Sequence, residues 1–182
     1  MRASRRGLVV ALACLASFCL SSLAAAQPSD QAIAERILGP QWKQLSRRAG
    51  MIFAGTVLTS TPPATAVDRV VPAATPAVQL RFRVDRAIAG VERGQVLTIH
   101  EWAGAWSMHR PMRRGQRILI LLYPPSRLGF TSPVGGSLGQ VALDASGKNV
   151  SKNARKSSAS GIENVSVVQL ERAIRSARSE EE

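Results

Sequence analysis

Between Val78 and Asp85 the chain alternates without a break: Val78, Leu80, Phe82 and Val84 are apolar, and Gln79, Arg81, Arg83 and Asp85 are polar. A period of two sends successive side chains to opposite faces, so this stretch predicts a half-buried strand with a charged outer face. Upstream, Met51 to Leu58 (MIFAGTVL) reads as a strand interrupted by Gly55, and a glycine inside a strand marks a bulge or the bend of a barrel corner. Downstream, Ala87 to Gly94 (AIAGVERG) carries two glycines and connects to a strand over Val96 to Glu101. Ile118 to Tyr123 (ILILLY) is apolar throughout and bounded by Pro124-Pro125, which predicts a strand covered on both sides. After the glycine-rich Phe130 to Gly139, Gln140 to Leu143 makes a short final strand. Five short strands with bends, and no helical repeat between them, predict a mainly β fold closed or nearly closed into a barrel.

The flanks have a different period. Ser29-Asp30 caps a short helix with Ile33, Ile37 and Leu38 on one face, stopped by Gly39-Pro40; a further helical turn over Gln41 to Arg48 places Trp42 and Leu45 against the domain. Near the other end, Ser166 and Gln169 form a capping box, with Val165 and Leu170 as its hydrophobic staple. Val167, Leu170, Ile174 and Ala177 then share one helical face, so a terminal helix should pack on the barrel. Thr59 to Pro76 holds four prolines and no period, hence a long loop, and Asp144 to Ser160 is polar and lysine-bearing, a linker by composition. The resulting division is a signal peptide at 1–26, an N-terminal helical segment at 27–49, the barrel at 50–145, a polar linker at 146–163, and a C-terminal helix with an acidic tail at 164–182.

The first residues change the compartment. Arginines at 2, 5 and 6, an apolar run from Leu8 to Leu20, and Ala24 and Ala26 in an A-x-A arrangement predict a secretory signal peptide cut before Gln27. The run is shorter than the roughly 20 apolar residues of a spanning helix, so no membrane anchor is expected after cleavage. The predicted location is the periplasm or the medium; Ser4-Arg5-Arg6 is a loose match to a twin-arginine signal and leaves the export route open. Both cysteines, Cys14 and Cys19, fall in the segment removed, so the mature chain has no thiol and no disulfide, and its core alone must hold it together.

Charge narrows the partners. Removing Arg2, Arg5 and Arg6 from 24 basic residues leaves 21 against 12 acids, a net +9. From Trp102 to Ser160 there are nine basic residues and a single acid, Asp144, so most of that excess lies there. Such a field favours anionic partners, although a surplus of arginine over lysine, 20 to 4, also fits a GC-rich genome.

Catalytic patterns fail on spacing. His100-Glu101 begins like a zinc protease's H-E-x-x-H, but Gly104 stands where the second histidine belongs. His100, Glu101 and His109 could supply three ligands, yet on a strand His100 and Glu101 point to opposite faces, so no metal site is expected. Gly135 to Gly139 (GGSLG) fits the nucleophile elbow G-x-S-x-G with Ser137 as nucleophile, but a strand follows instead of a helix and no histidine comes later in the chain. A triad of Asp85, His100 and Ser137 is formally open and unsupported by spacing. No catalytic residue, cofactor or metal is expected, and a serine hydrolase at Ser137 stands as the weakest reading. The most distinctive cluster is Trp102 and Trp106 with Met108, His109, Arg110, Arg113 and Arg114. It reads as aromatic platforms beside cations for sugar, single-stranded nucleic acid or protein, or as a loop over the barrel mouth that buries both indoles.

The order MIFAGTVL, LRFRVDRAIAG with GQVLTI, RRGQRILILLY, then a glycine-rich segment before QVAL, resembles the netrin-module or tissue-inhibitor-of-metalloproteinase-like domain over Gly50 to Leu143, a pattern shared by exported bacterial proteins. The resemblance implies a five-stranded OB-like barrel with accompanying helices and a non-catalytic binding role. The family's animal inhibitors chelate protease zinc through an N-terminal cysteine; here the predicted mature start is Gln27-Pro28-Ser29, so that mechanism does not carry over. The expectation is therefore an exported binding domain for an extracytoplasmic protein, a protease among the candidates, using Trp102, Trp106, His109, Arg110, Arg113 and Arg114 with the strand face of Arg81 and Arg83. The alternative is a module for acidic polysaccharide or nucleic acid using the arginine-rich 110–117 loop, including Arg117.

Overall fold

The computed structural model describes residues 29–61, 77–107, 111–151 and 165–180. The expected signal segment, most of the proline-rich stretch expected as a loop, Met108, His109, Arg110 and residues 152–164 of the expected linker lie outside them.

Two short helices come first. Helix α1 (Asp30–Leu38) starts at Ser29, whose hydroxyl accepts from the Ala32 N–H at 3.2 Å, and buries Ile33, Ala34, Ile37 and Leu38. It stops at Gly39, whose φ of 89° suits a residue without a Cβ. Helix α2 (Trp42–Arg48) buries Trp42, Leu45 and Ser46.

The strands β1 (Met51–Thr61), β2 (Ala77–Ala89), β3 (Val96–Trp102), β4 (Arg117–Leu122) and β5 (Gln140–Ala142) form one antiparallel sheet in the order β3-β2-β1-β4-β5. A one-turn helix, α3 (Ala103–Trp106), follows β3, and α4 (Val167–Ser179) closes the chain. No helix among the described residues is long and apolar enough to cross a membrane.

Alternation gives the sheet two apolar faces. On the inner face Phe53, Val57, Val78, Leu80, Phe82, Val84, Ile99, Ile118, Ile120 and Leu122 form one core, with Phe53 and Phe82 edge-to-face at 5.5 Å. Outside, Ile52, Ala54, Leu119, Leu121 and Val141 meet the buried sides of α1, α2 and α4 in a second core. Strand β4 is thus covered on both sides, as an unbroken ILILL run predicts. The pairing of β1 with β2 shifts register at Ala54/Gly55, where Gly55 faces Val84, Ala54 faces Arg86 and Asp85 is bulged out. A Cβ on Gly55 would stand 2.5 Å from the Arg83 carbonyl oxygen, so the close approach requires glycine. Beyond the bulge β2 swaps faces: Ile88 joins the helix-side core while Ala87 packs against the inner one. Alternation is lost in the sequence at that point, and the strand nevertheless runs on to Ala89, leaving a shorter connection to β3 than AIAGVERG suggests.

The expectation of a closed or nearly closed barrel is corrected: the five strands form one sheet that does not close. Strand β5 is three residues long and pairs only with β4, and the two sides of the sheet are linked by isolated bridges, His100 with Phe130 and Leu122 with Pro133, in place of a ladder. Three residues supply too few backbone pairs to complete a cylinder. The start of the expected linker is also structured. Asp144 accepts from the Ser146 hydroxyl at 2.7 Å and the Asn149 side-chain amide at 2.9 Å, and Leu143 bridges Val150, which is buried.

The helices are tied down by reciprocal capping. Arg178 of α4 donates to the carbonyls of Ser46 and Ala49 at 2.7 and 2.8 Å, and Arg47 of α2 donates to the Ala177 carbonyl at 3.0 Å. Each helix's last turn, the negative end of its dipole, receives the other's guanidinium. At the start of α4, Ser166 and Gln169 make the full capping box, and Val165 and Leu170 are both buried.

Candidate functional site

The helices cover only part of the outer face. Past Ala54, the outward positions of β1 are Thr56, Thr59 and Thr61, and those of β2 before the bulge are Gln79, Arg81 and Arg83. On β3, alternation sends Leu97, Ile99 and Glu101 inward and Val96, Thr98, His100 and Trp102 outward.

Register fixes which of these meet. Arg117, Thr56, Arg83 and Val96 stand in one row across β4, β1, β2 and β3. Thr59, Arg81 and Thr98 form the next, Thr61, Gln79 and His100 the one after, and Trp102 faces Ala77 at the end. The only carboxylate among these rows is Asp85 beside Arg83; it accepts from the Thr56 hydroxyl at 2.8 Å and from Arg83 Nε at 3.2 Å. Arg81 has no hydrogen bond or ion pair with any described residue. Arg117 donates to the Ser146 carbonyl at 2.6 Å, which holds its guanidinium at the margin of the face.

The helix side disposes of its charge differently. Glu180 pairs with Lys43 and Arg47, Asp30 with Arg172, and Glu171 with Arg86 and Arg175. Burial pushes the Glu171 carboxyl up, but hydrogen bonds and charge from Arg86 and Arg175 outweigh it and hold it below the ordinary value of 4.5. In the 144–149 turn, hydrogen bonds from Ser146 and Asn149 hold Asp144 down at about 2.

The sequence cluster at 102–114 is divided by the fold. Trp102 is 53% exposed, its indole lying over Gly104, where a Cβ would meet the ring at 2.6 Å. Trp106, at the end of α3, is half-buried against the inner core, so the two indoles do not share a fate. Arg113 and Arg114 are exposed in the turn before β4, which abuts β1 through Gly115 N–H to the Val57 carbonyl at 2.8 Å. Val57 is level with Leu97 on β3, five residues from Trp102, or roughly 16 Å along the strand at about 3.3 Å per residue. His109 and Arg110 lie outside the described residues. Ser137 is exposed in a 3-10 turn (Gly136–Gly139) that leads into β5. His100 is exposed while Glu101 is fully buried, so the pair does point opposite ways. Among the described residues no three His, Cys, Asp or Glu side chains stand close enough to hold a metal ion.

Sequence reasoning placed Arg81 and Arg83 on an outer face but did not join them to Thr98, His100 and Arg117. The alternation of LTIHEW carried half of that signal; the pairing register carried the rest. No family model matches the chain, and no curated protein or solved structure is significantly similar to it.

The surface offers contact chemistry: guanidinium donors, an imidazole, an exposed indole and a floor of threonine hydroxyls. Those groups suit an anion with hydrogen-bonding capacity.

Proposed function

We propose that this chain is an exported, non-enzymatic binding domain that engages an acidic partner outside the cytoplasm through the bare outer face of β1, β2 and β3. The observation that carries the reading is the register, which aligns Arg81 and Arg83 with Thr98, His100 and Trp102 on sheet surface that none of the described helices covers. An OB-like, netrin-module identity is part of the proposal. The meander β1-β2-β3, the placement of β4 beside β1 and the parallel bridge from His100 to Phe130 support it.

The test is retention of the mature chain, Gln27 to Glu182, on immobilised polyglutamate and on dextran sulfate over a salt series. The combined Arg81→Ala and Arg83→Ala variant should lose roughly tenfold in affinity and flatten the salt dependence, as expected when two contacts to an anion are removed. Unchanged retention by a folded variant would move the site elsewhere. Equal loss from Arg113→Ala with Arg114→Ala alone would assign binding to the turn before β4, the polyanion reading.

A further inference from the structure

Strand β3 has one satisfied side and one open side. The Val84 N–H donates to the Gln95 carbonyl at 2.9 Å, so odd-numbered residues of β3 turn their backbone groups toward β2. The Thr131 N–H donates to the His100 carbonyl at 2.9 Å, so even-numbered residues turn theirs away. Among the described residues that bridge is the last one along this side. The chain reaching it comes out of a turn at 126–129, closed by Gly129 N–H to the Ser126 carbonyl at 2.9 Å with Gly129 at φ 76°, and the residues before the turn fold back onto 130–133, Ser126 N–H donating to the Phe130 carbonyl at 2.8 Å and Tyr123 N–H to the Ser132 carbonyl at 3.0 Å. The N–H and C=O groups of Val96 and Thr98 therefore face outward with no bridge to any described residue, and both residues are exposed.

Edge strands are ordinarily protected by a lysine, a proline, a bulge or an inward charge. The open stretch Val96 to Ile99 has none: it contains no charged residue or proline, and its pairing with β2 shows no register shift. The inward charge of this strand, Glu101, lies beyond the His100 bridge.

We propose that the open edge of β3 takes an extended acidic polypeptide segment as an added strand. The inference rests on the reading of the bare face as an acid-binding surface and names its partner class. Arg81 and Thr98 are directly opposite in a pair that does not exchange backbone hydrogen bonds, the arrangement that brings side chains closest. Thr98 is short, so Arg81 can reach over it toward the edge. A strand added beside β3 would lie about 9.6 Å from β2, two interstrand spacings, a gap that an arginine and a glutamate side chain span together. Outward positions of the added strand would meet Arg81 and Arg83. Its inward positions would meet Leu97, which faces the inner core yet is only half-buried, and so call for apolar residues. The partner is a segment in which acidic and apolar residues alternate; main-chain bonds supply affinity and the alternation supplies specificity.

The experiment compares three synthetic peptides of alternating glutamate and valine: one unmodified, one N-methylated at the valine amides and one N-methylated at the glutamate amides. Binding to the mature chain is read from the fluorescence of Trp102 and by calorimetry, with Trp102→Phe as the control for signal origin. The unmodified peptide is expected to bind. Methylation in the register that faces β3 should weaken it about tenfold, the loss of backbone hydrogen bonds at a desolvated edge, and methylation in the other register should not. Thr98→Pro, which removes only an outward N–H, should reproduce the loss in a folded protein. Equal affinity for all peptides overturns strand addition and leaves the acid-binding face standing. Retention on dextran sulfate without peptide binding overturns it in favour of a polysaccharide. Failure of every acidic probe removes the strand proposal and the functional reading together.

Discussion

The outer face of the sheet is two surfaces, and single strands pass through both. Where β1 lies under α1 and α4 its outward residues are Ile52 and Ala54; past Gly55 they become Thr56, Thr59 and Thr61. Strand β2 makes the same change in reverse, from Gln79, Arg81 and Arg83 to Ile88, with the Asp85 bulge at the boundary. The helix-covered half is an apolar core fenced by paired charges. The bare half carries cations that outnumber the carboxylates beside them among the described residues. Coverage by helices is thus encoded within each strand, and the half left uncovered was never composed to be buried.

Stability should divide along the same line. Leu121→Ala, in the covered half, removes a fully buried side chain and should cost about 2–5 kcal/mol. Arg81→Ala, in the bare half, should stay within about 0.5 kcal/mol, since the side chain is exposed and has no hydrogen bond or ion pair with a described residue to lose. Urea denaturation with unchanged slope reads both; a comparable loss from Arg81→Ala would break the division and make the cationic face structural.

The covered half also depends on how its helices end. Arg178→Ala leaves the Ser46 and Ala49 carbonyls without their guanidinium and should cost about 2 kcal/mol, the scale of hydrogen bonds to a charged group. Arg178→Lys should recover only part of it, because an ammonium lacks the fork that serves two acceptors. Equal stability of both variants with the parent would mean that packing of Leu170 and Ile174 alone seats the helix.

How much of this division could be read beforehand depends on whether the information is local. The β2 alternation, the two-sided burial of β4, the Gly55 bulge and the α4 capping box rest on near neighbours, and all were legible in the residues. The continuation of β2 to Ala89 was not, because Asp85 bulges and inverts the faces beyond it. The fate of the two tryptophans was not legible either: one turn of helix, Ala103–Trp106, sends Trp106 toward the core and leaves Trp102 over Gly104. A closed or nearly closed barrel was expected and the sheet does not close; closure depends on pairing between residues distant in the chain, which strand patterns do not contain. Likewise the residues that surround Arg81 come from three strands, and only the register brings them together.

Acid should weaken the covered half first. The folded Glu171 carboxyl titrates below its ordinary value, so its contribution is fully present above about pH 4.5 and is lost as pH falls below it. Arg86 and Arg175 are each about half exposed, so screening limits the contribution to about 0.5 kcal/mol. The melting-temperature difference between the parent and Glu171→Gln should shrink on acidification; a constant difference would show that the pairs add nothing.

The smallest effect belongs to the boundary between the two halves, where Arg117 is held by the Ser146 carbonyl of the Asp144 turn. Asp144 sits at about 2 against an ordinary 3.8, so the turn's share of stability is present above 3.8 and fades as pH falls toward 2. Asp144→Ala should therefore lower the melting temperature slightly near neutrality and by progressively less as pH falls from 3.8 through 2. The same substitution loosens the loop that restrains Arg117, and a freed Arg117 lies in the row of Arg83. If the bare half is the acid-binding surface, Asp144→Ala should bind polyglutamate at neutral pH at least as tightly as the parent while being less stable. A variant that loses stability and binding in parallel would instead show that the bare half depends on the turn for its shape, and that the division between the halves is not as sharp as their composition makes it.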